Sequence, residues 1–203
     1  MTDHRQIRPG DDVQDEASLL ERCRAGEPAA QGELVARYQD RVYNTCLRMC
    51  GNAADAEDYA QDAFVKAITS LDRFDGRSRF YTWLFRIAVN LVLSGRRRAA
   101  TVRMHGLDEG QAGAASRLAA ADAPVMTQAA QREEHAMVLA ALESLDDDAR
   151  AIVVLRDVES LDYAEIAEIL DIAPGTVKSR LHRARMALRE KLQPMIGAAQ
   201  QQQ

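Results

Sequence analysis

Between Lys178 and Arg183 the chain places a hydroxyl, an imidazole and cationic groups within two helical turns. They lie in residues 161–192, LDYAEIAEILDIAPGTVKSRLHRARMALREKL, whose pattern predicts two helices joined by a tight turn. Asp162 with Glu165 forms a capping-box start for the first helix, and Pro174 opens the second. In that second helix Val177, Leu181, Ala184, Leu188 and Leu192 project within about 80° of one another, which defines its buried face. Ser179, His182 and Arg183 then point outward, with Lys178 and Arg180 on the flanks. Donors of this kind near a helix N-terminus suit the edges of base pairs in a DNA major groove. A solvated basic face would look the same in isolation. The preceding helix and turn favour the DNA reading.

A second constellation lies in GRSRFYTWLFRIAVNLVLSGRRR, residues 76–98. Ser78 can cap a helix over residues 79–94, and Phe80, Leu84, Ile87 and Leu91 define one apolar face. Arg79, Trp83, Arg86 and Asn90 run along one flank within about 60°. Phe85, Val89 and Val92 lie on other sides, so this helix is central to its bundle or covered by a partner. A tryptophan at such a place is a core residue or a platform for an unstacked base. Its company of two arginines, an asparagine and the Arg96-Arg97-Arg98 run favours the platform, because single-stranded DNA binding combines aromatic stacking with phosphate neutralisation.

The elements that must hold these stretches are helical. Ala, Leu, Arg and Glu abound, aromatics make up only 5%, and no long stretch alternates apolar with polar residues. Residues 1–14 read as a disordered tail. Helices follow over 16–25, ending at Gly26, from Pro28 to about residue 49, and over 54–71, capped by Asn52. On this third helix Asp55, Asp58 and Asp62 face out, while Ala60, Phe64, Val65 and Ile68 are expected inside. Residues 72–78 form a turn hinged at Gly76. The Ala- and Gly-rich stretch after residue 100 reads as a flexible linker reaching about residue 126. A second helical unit follows over 127–196, broken near Asp146, with a helix over 149–158 and a tail over 197–203. The architecture expected is therefore all-α, with two helical domains (15–99 and 127–196) joined by a flexible linker.

Charge separates along the chain. The net charge is −5, yet residues 76–107 hold seven arginines and no acid, and residues 173–192 hold six basic residues against Glu190 alone. Two basic patches on an acidic body imply two nucleic-acid contacts, a further partner, and weak DNA binding by the isolated protein. Cys23, Cys46 and Cys50 form no CxxC pair and read as buried filler. The histidines, His4, His105, His135 and His182, are scattered and no phosphate-binding glycine loop occurs, which argues against an enzyme, a metal centre or a cofactor. The absence of a signal peptide or a membrane-spanning apolar run points to a cytoplasmic protein.

These blocks, in this order and spacing, resemble the extracytoplasmic-function (ECF) sigma factors of the sigma-70 family, especially the envelope-stress members. DAEDYAQDAFVKAITSLDRF, residues 55–74, is similar to the clamp-gripping part of sigma region 2, residues 76–98 to its promoter-melting part, and residues 161–192 to region 4. The resemblance implies a specificity subunit of RNA polymerase that binds core polymerase and promoter DNA, in a stress response, and commonly an anti-sigma partner. It implies −10 contacts by Phe74, Trp83, Arg86 and Asn90, and −35 contacts by Lys178, Ser179, Arg180, His182 and Arg183. It places core-polymerase contacts at Asp55, Asp58, Gln61 and Asp62, and runs the linker near the RNA exit path. Asp171 stands where relatives often carry glycine, and Ser94-Gly95 suggests a shortened melting helix. The rival reading is a stand-alone helix-turn-helix regulator, which has no need of the aromatic–arginine helix.

Overall fold

The computed structural model describes residues 11–104 and 136–200. The expected extreme N-terminal tail, most of the linker, the start of the second unit near residue 127 and the last residues lie outside the described residues. Helices α1 (Asp11–Arg24), α2 (Pro28–Cys50), α3 (Ala53–Thr69) and α4 (Phe80–Met104) precede the linker. Helices α5 (136–143), α6 (Asp147–Val153), α7 (Tyr163–Leu170) and α8 (Pro174–Gln200) follow it. Among the described residues every regular element is helical, which agrees with the all-α expectation.

Local signals set most boundaries. Gly51 ends α2 at φ 76°, with its N–H donating to the Leu47 carbonyl. Asn52 accepts hydrogen bonds from the Ala54 and Asp55 N–H groups at the start of α3. Asp162 and Glu165 form the complete capping box of α7. Asp171 closes α7 in the left-handed region at φ 52°, so an aspartate performs there the task a glycine does without a Cβ penalty.

Four boundaries or orientations differ from the sequence reading. Helix α1 begins at Asp11 rather than near residue 16. The helix expected over 149–158 starts at Asp147 behind an Asp146 cap, and changes at Val154–Val158 to π-helical winding. Helix α4 does not stop at Ser94 but runs to Met104. Gly95 is helical there, and a Cβ on it would lie 1.9 Å from the Tyr59 hydroxyl of α3. Its glycine therefore serves close helix crossing instead of termination. Val65, expected inside, is 62% exposed, because the buried face of α3 is made by Ala56, Ala60, Ala63, Phe64 and Ala67.

A single apolar core runs through both halves of the described chain. Helix α4 is its axis. Phe80, Leu84, Phe85, Ala88, Val89 and Val92 are buried on several sides of it, while Ile87 and Leu91 are only partly buried. Helices α2 and α3 cover α4 from one side and α7 from another. Of the two sequence alternatives for α4, the packing is that of a central helix, covered by elements of its own chain.

The two halves meet at Arg150 of α6, which is 1% exposed. Its guanidinium donates to the carbonyls of Leu142 (2.8 Å), Glu143 (2.7 Å) and Leu145 (3.2 Å), and to that of Met49 at 2.6 Å. Met49 is in the last turn of α2, and Leu142 and Glu143 close α5, so one cation serves acceptors that helix ends leave without intrahelical donors. Beside it, Arg96 of α4 donates to Asp147 of α6 at 2.5 Å. Replacing Arg150 by methionine keeps the bulk and strands the carbonyls, so Arg150→Met is expected to cost about 3–5 kcal/mol in urea unfolding. The buried Thr82 hydroxyl of α4 has no hydrogen-bond partner among the described residues. Thr82→Val, near-isosteric, is expected to raise stability by about 1 kcal/mol in the same assay.

Candidate nucleic-acid interface

The flank of α4 begins at an aromatic floor. Phe74, at the end of a 3-10 turn (Leu71–Arg73), sits 5.7 Å from the Phe80 ring and 5.4 Å from that of Trp83. Phe80 also lies tilted at 5.8 Å from Trp83 and 5.6 Å from Tyr38 of α2. Arg24 of α1 holds this corner, donating to the Phe74 carbonyl at 2.7 Å and the Leu71 carbonyl at 3.4 Å. Nothing in the spacing of Arg24 signals that role, since its acceptors lie nearly fifty residues away on the backbone.

This arrangement places Trp83 in the core. Its indole is only 8% exposed and is part of the core cluster, so it presents no open face to a base in this conformation. The helical projection placed its Cα correctly on the flank. What it could not include was the turn carrying Phe74, which folds over the indole. Phe74 is buried as well. Asn90, by contrast, is exposed, and Arg86 is half-exposed on the same stripe.

Arg79 and Arg86 reach towards α7. Arg86 Nη1 lies 3.5 Å from Glu168 Oε1 and Arg79 Nη1 3.9 Å from Glu165 Oε1. The Tyr81 hydroxyl donates to Glu165 and accepts from Arg79 at 3.0 Å. Next to them Arg41 of α2 pairs at 3.1 Å with Glu159, whose other oxygen accepts from Thr45 at 2.8 Å. The Arg41 guanidinium also lies over the Tyr81 and Phe85 rings, at 5.6 and 5.4 Å from their centroids.

Helix α8 presents the second basic face as the projection placed it. Val177, Leu181 and Ala184 are buried, Leu188 and Leu192 partly so, and Lys178, Ser179, His182 and Arg183 are exposed. Ser179 donates to the Thr176 carbonyl at 3.0 Å, leaving its lone pairs outward. Arg180 is turned to the flank, 3.6 Å from Asp148, and it shares with Arg183 and Lys191 a recess between α6 and α8. The cationic side chains are thus splayed along the helix and not spent on buried partners.

The third face is on α3. Asp55, Asp58, Gln61 and Asp62 are all exposed, and Gln61 donates to Glu57 at 3.4 Å. Exposed Val65 follows one turn after them. An apolar group beside carboxylates suits a protein partner better than a merely solvated face does. The thiols are buried. Desolvation pushes that of Cys46 up to about 12, and Cys50 Sγ donates to the Asn52 carbonyl at 3.2 Å, so packing accounts for them. Among the described residues no His, Cys, Asp and Glu group is arranged to hold a metal ion, and no helix is long and apolar enough to cross a membrane.

These faces fall within regions of known kinship. Residues 34–102 match sigma-70 region 2, and residues 135–188 match sigma-70 region 4. The chain is 39% identical over 187 residues to the ECF RNA polymerase sigma-E factor of Escherichia coli (strain K12), covering 88% of this chain and 94% of that protein. It is 34% identical to the ECF RNA polymerase sigma factor SigW of Bacillus subtilis (strain 168), covering 87% and 96%. Among solved structures it is similar to CnrH in complex with the cytosolic domain of CnrY, with a TM-score of 0.64, 28% identity and coverage of 86% and 94%. It is also similar to the sigma factor RpoE in complex with the anti-sigma factor NepR from Bartonella quintana, with a TM-score of 0.62, 26% identity and coverage of 79% and 95%. The aromatic–arginine helix, the helix-turn-helix and the acidic α3 face therefore sit on one scaffold, and the chain belongs to the ECF sigma factors of the sigma-70 family.

Proposed function

We propose that this chain directs core RNA polymerase to promoters through a two-point grip, with residues 15–99 at the −10 element and residues 127–196 at the −35 element. The observation that supports the reading most is the presence of two separate basic faces, on α4 and α8, beside an acidic face on α3 that neither uses. A stand-alone helix-turn-helix regulator accounts for α8 alone. The sigma reading accounts for all three, and catalysis stays with the polymerase.

At the −10 element Asn90 meets an extruded base of the non-template strand while Arg86 meets the backbone next to it. Phe74 and Trp83 contribute from beneath, as the floor that sets the pitch of this stripe. Should the 3-10 turn shift on DNA, their rings would become available for stacking, worth about 1–3 kcal/mol per base. At the −35 element Lys178, Ser179, Arg180, His182 and Arg183 read or steady the major groove. Asp55, Asp58, Gln61 and Asp62, with Val65, contact the polymerase. The protein works in the cytoplasm, where its polymerase is, and the names of its relatives fit a stress response. An anti-sigma factor is the regulator to expect, since CnrH is known with CnrY and RpoE with NepR.

Two experiments test this. Purified chain added to core polymerase is expected to support initiation at a stress promoter in vitro. Failure both to bind core and to initiate would refute the function. In that assay Asn90→Ala is expected to impair strand opening, read by permanganate footprinting, while −35 duplex affinity stays within about twofold. Arg183→Ala is expected to weaken −35 binding by about 1–3 kcal/mol. Equal loss of duplex binding in both variants would contradict the division of labour.

A further inference from the structure

The 3-10 turn that carries Phe74 is tied down by a residue from the first helix of the domain. Helix α1 buries Leu19, Leu20 and Cys23, and the chain turns away at Gly26, left-handed at φ 79°. That register sends the two arginines of its last turn to different tasks. Arg22 engages carboxylates, donating to Glu27 at 2.7 and 2.8 Å and to Glu33 at 3.5 Å. Arg24 makes no ion pair among the described residues and turns its donors to backbone instead. Its Nη2 donates to the Phe74 carbonyl at 2.7 Å and its Nε to the Leu71 carbonyl at 3.4 Å.

Those two carbonyls bracket the turn. Within it the Arg73 N–H donates to the Ser70 carbonyl at 2.9 Å and the Phe74 N–H to that of Leu71 at 3.1 Å. The chain then leaves in extended conformation at Phe74, with φ −76° and ψ 108°. Beyond it Gly76 is left-handed at φ 73°, and Asp75 pairs with exposed Arg77 two residues on, a contact internal to the loop. A guanidinium that takes both carbonyls therefore sets the pitch of the turn. It thereby sets where the Phe74 ring lies against Trp83, at 5.4 Å, and Phe80, at 5.7 Å. The planar fork suits this task, because two donors fixed relative to each other define an orientation, whereas an ammonium defines only a point.

We propose that Arg24 is a positioning residue for base selection at the −10 element: it touches no base, and it holds the Leu71–Phe74 turn at the end of the stripe on which Asn90 lies. Discrimination between bases needs the groups around the captured base held to within about 0.5 Å. A turn followed by a left-handed glycine does not meet that tolerance unaided. Hydrogen bonds from an exposed guanidinium are worth about threefold to tenfold in an equilibrium. That is large on the scale of choosing one base over another and small against the stability of the domain. Helix α1 stays in place through its own buried face, so the role of Arg24 separates from folding.

This role rests on the sigma reading above, and the test separates the two. Holoenzyme from purified core polymerase and the full chain is assayed on a promoter that the wild type opens. It is also assayed on the three versions with the other bases at the −10 position least tolerant of change, and the ratio of initiation rates measures discrimination. Arg24→Ala is expected to lower that ratio by about threefold to tenfold, with affinity for core polymerase and for −35 duplex within about twofold of wild type. Arg24→Lys keeps the charge without the fork and is expected to lie nearer to Arg24→Ala than to wild type. Arg22→Ala, in the same turn of α1, is expected to leave the ratio within about twofold. In a Phe74→Leu background Arg24→Ala is expected to have no further effect, since it acts through that turn. Circular dichroism verifies that each variant is folded. An unchanged ratio in folded Arg24→Ala, an equal loss of initiation on all four promoters, or full additivity with Phe74→Leu overturns the assignment. In each of those cases wild-type holoenzyme that initiates leaves the sigma reading standing. Wild-type protein that neither assembles nor initiates refutes that reading and the role of Arg24 with it.

Discussion

The structure depends on where a single buried cation can be satisfied. Among the described residues Arg150 has no carboxylate bonded to it, and the negative ends of two helices and a turn take its hydrogens instead. Burial pulls its pKa down, and Arg96 nearby pushes in the same direction, yet a guanidinium starts so high that it stays charged. The consequence is geometric. Satisfying the cation requires the end of α2, the end of α5 and the start of α6 to converge, and this registers region 4 against region 2. Around that point are weaker, more exposed contacts, which define how the two halves lie without making the arrangement permanent.

Helix α4 answers a different demand. It carries polar groups along one flank while most of its circumference is buried. Phe74, Phe80, Tyr38 and Trp83 form a tilted and edge-on aromatic group beneath that flank. Such a group resists shear, so Arg86 and Asn90 are presented from a stiff base. Gly95 meets a related demand further along, allowing the Tyr59 ring of α3 to lie against the helix. The aromatic packing beneath α4 and the exposure of its polar edge thus belong to one arrangement.

Charge separation connects fold and function. An overall charge of −5 would repel DNA; acids on α7 and at the α6 start pair with the chain's own arginines, while those on α3 are exposed. Exposed basic groups remain on α8 and, at Arg97 and Arg98, on α4.

Helix identity, the capping box at Asp162, the Asn52 cap, the buried face of α8 and the family were legible in the sequence, because each rests on local spacing or on contiguous motifs. The tasks of Trp83, Val65 and Gly95 were not. Whether an indole on a helix flank is a platform or a floor depends on whether a turn from elsewhere covers it, and Phe74 does so here. Val65 turned outward because Ala56, Ala60, Ala63, Phe64 and Ala67 form the face on which α3 crosses its neighbours. Gly95 read as a helix stop because its reason for being small, the Tyr59 ring, lies on another helix. Neither Arg24 nor Arg150 could be singled out, since their partners are backbone carbonyls brought near only by tertiary packing. The basic stretches of α4 and α8 were visible as sequence patterns; that Arg86 and Tyr81 meet the carboxylates of α7 could be decided only by bringing α4 and α7 together, since opposite charges act over a few ångströms of space and not over eighty residues of chain.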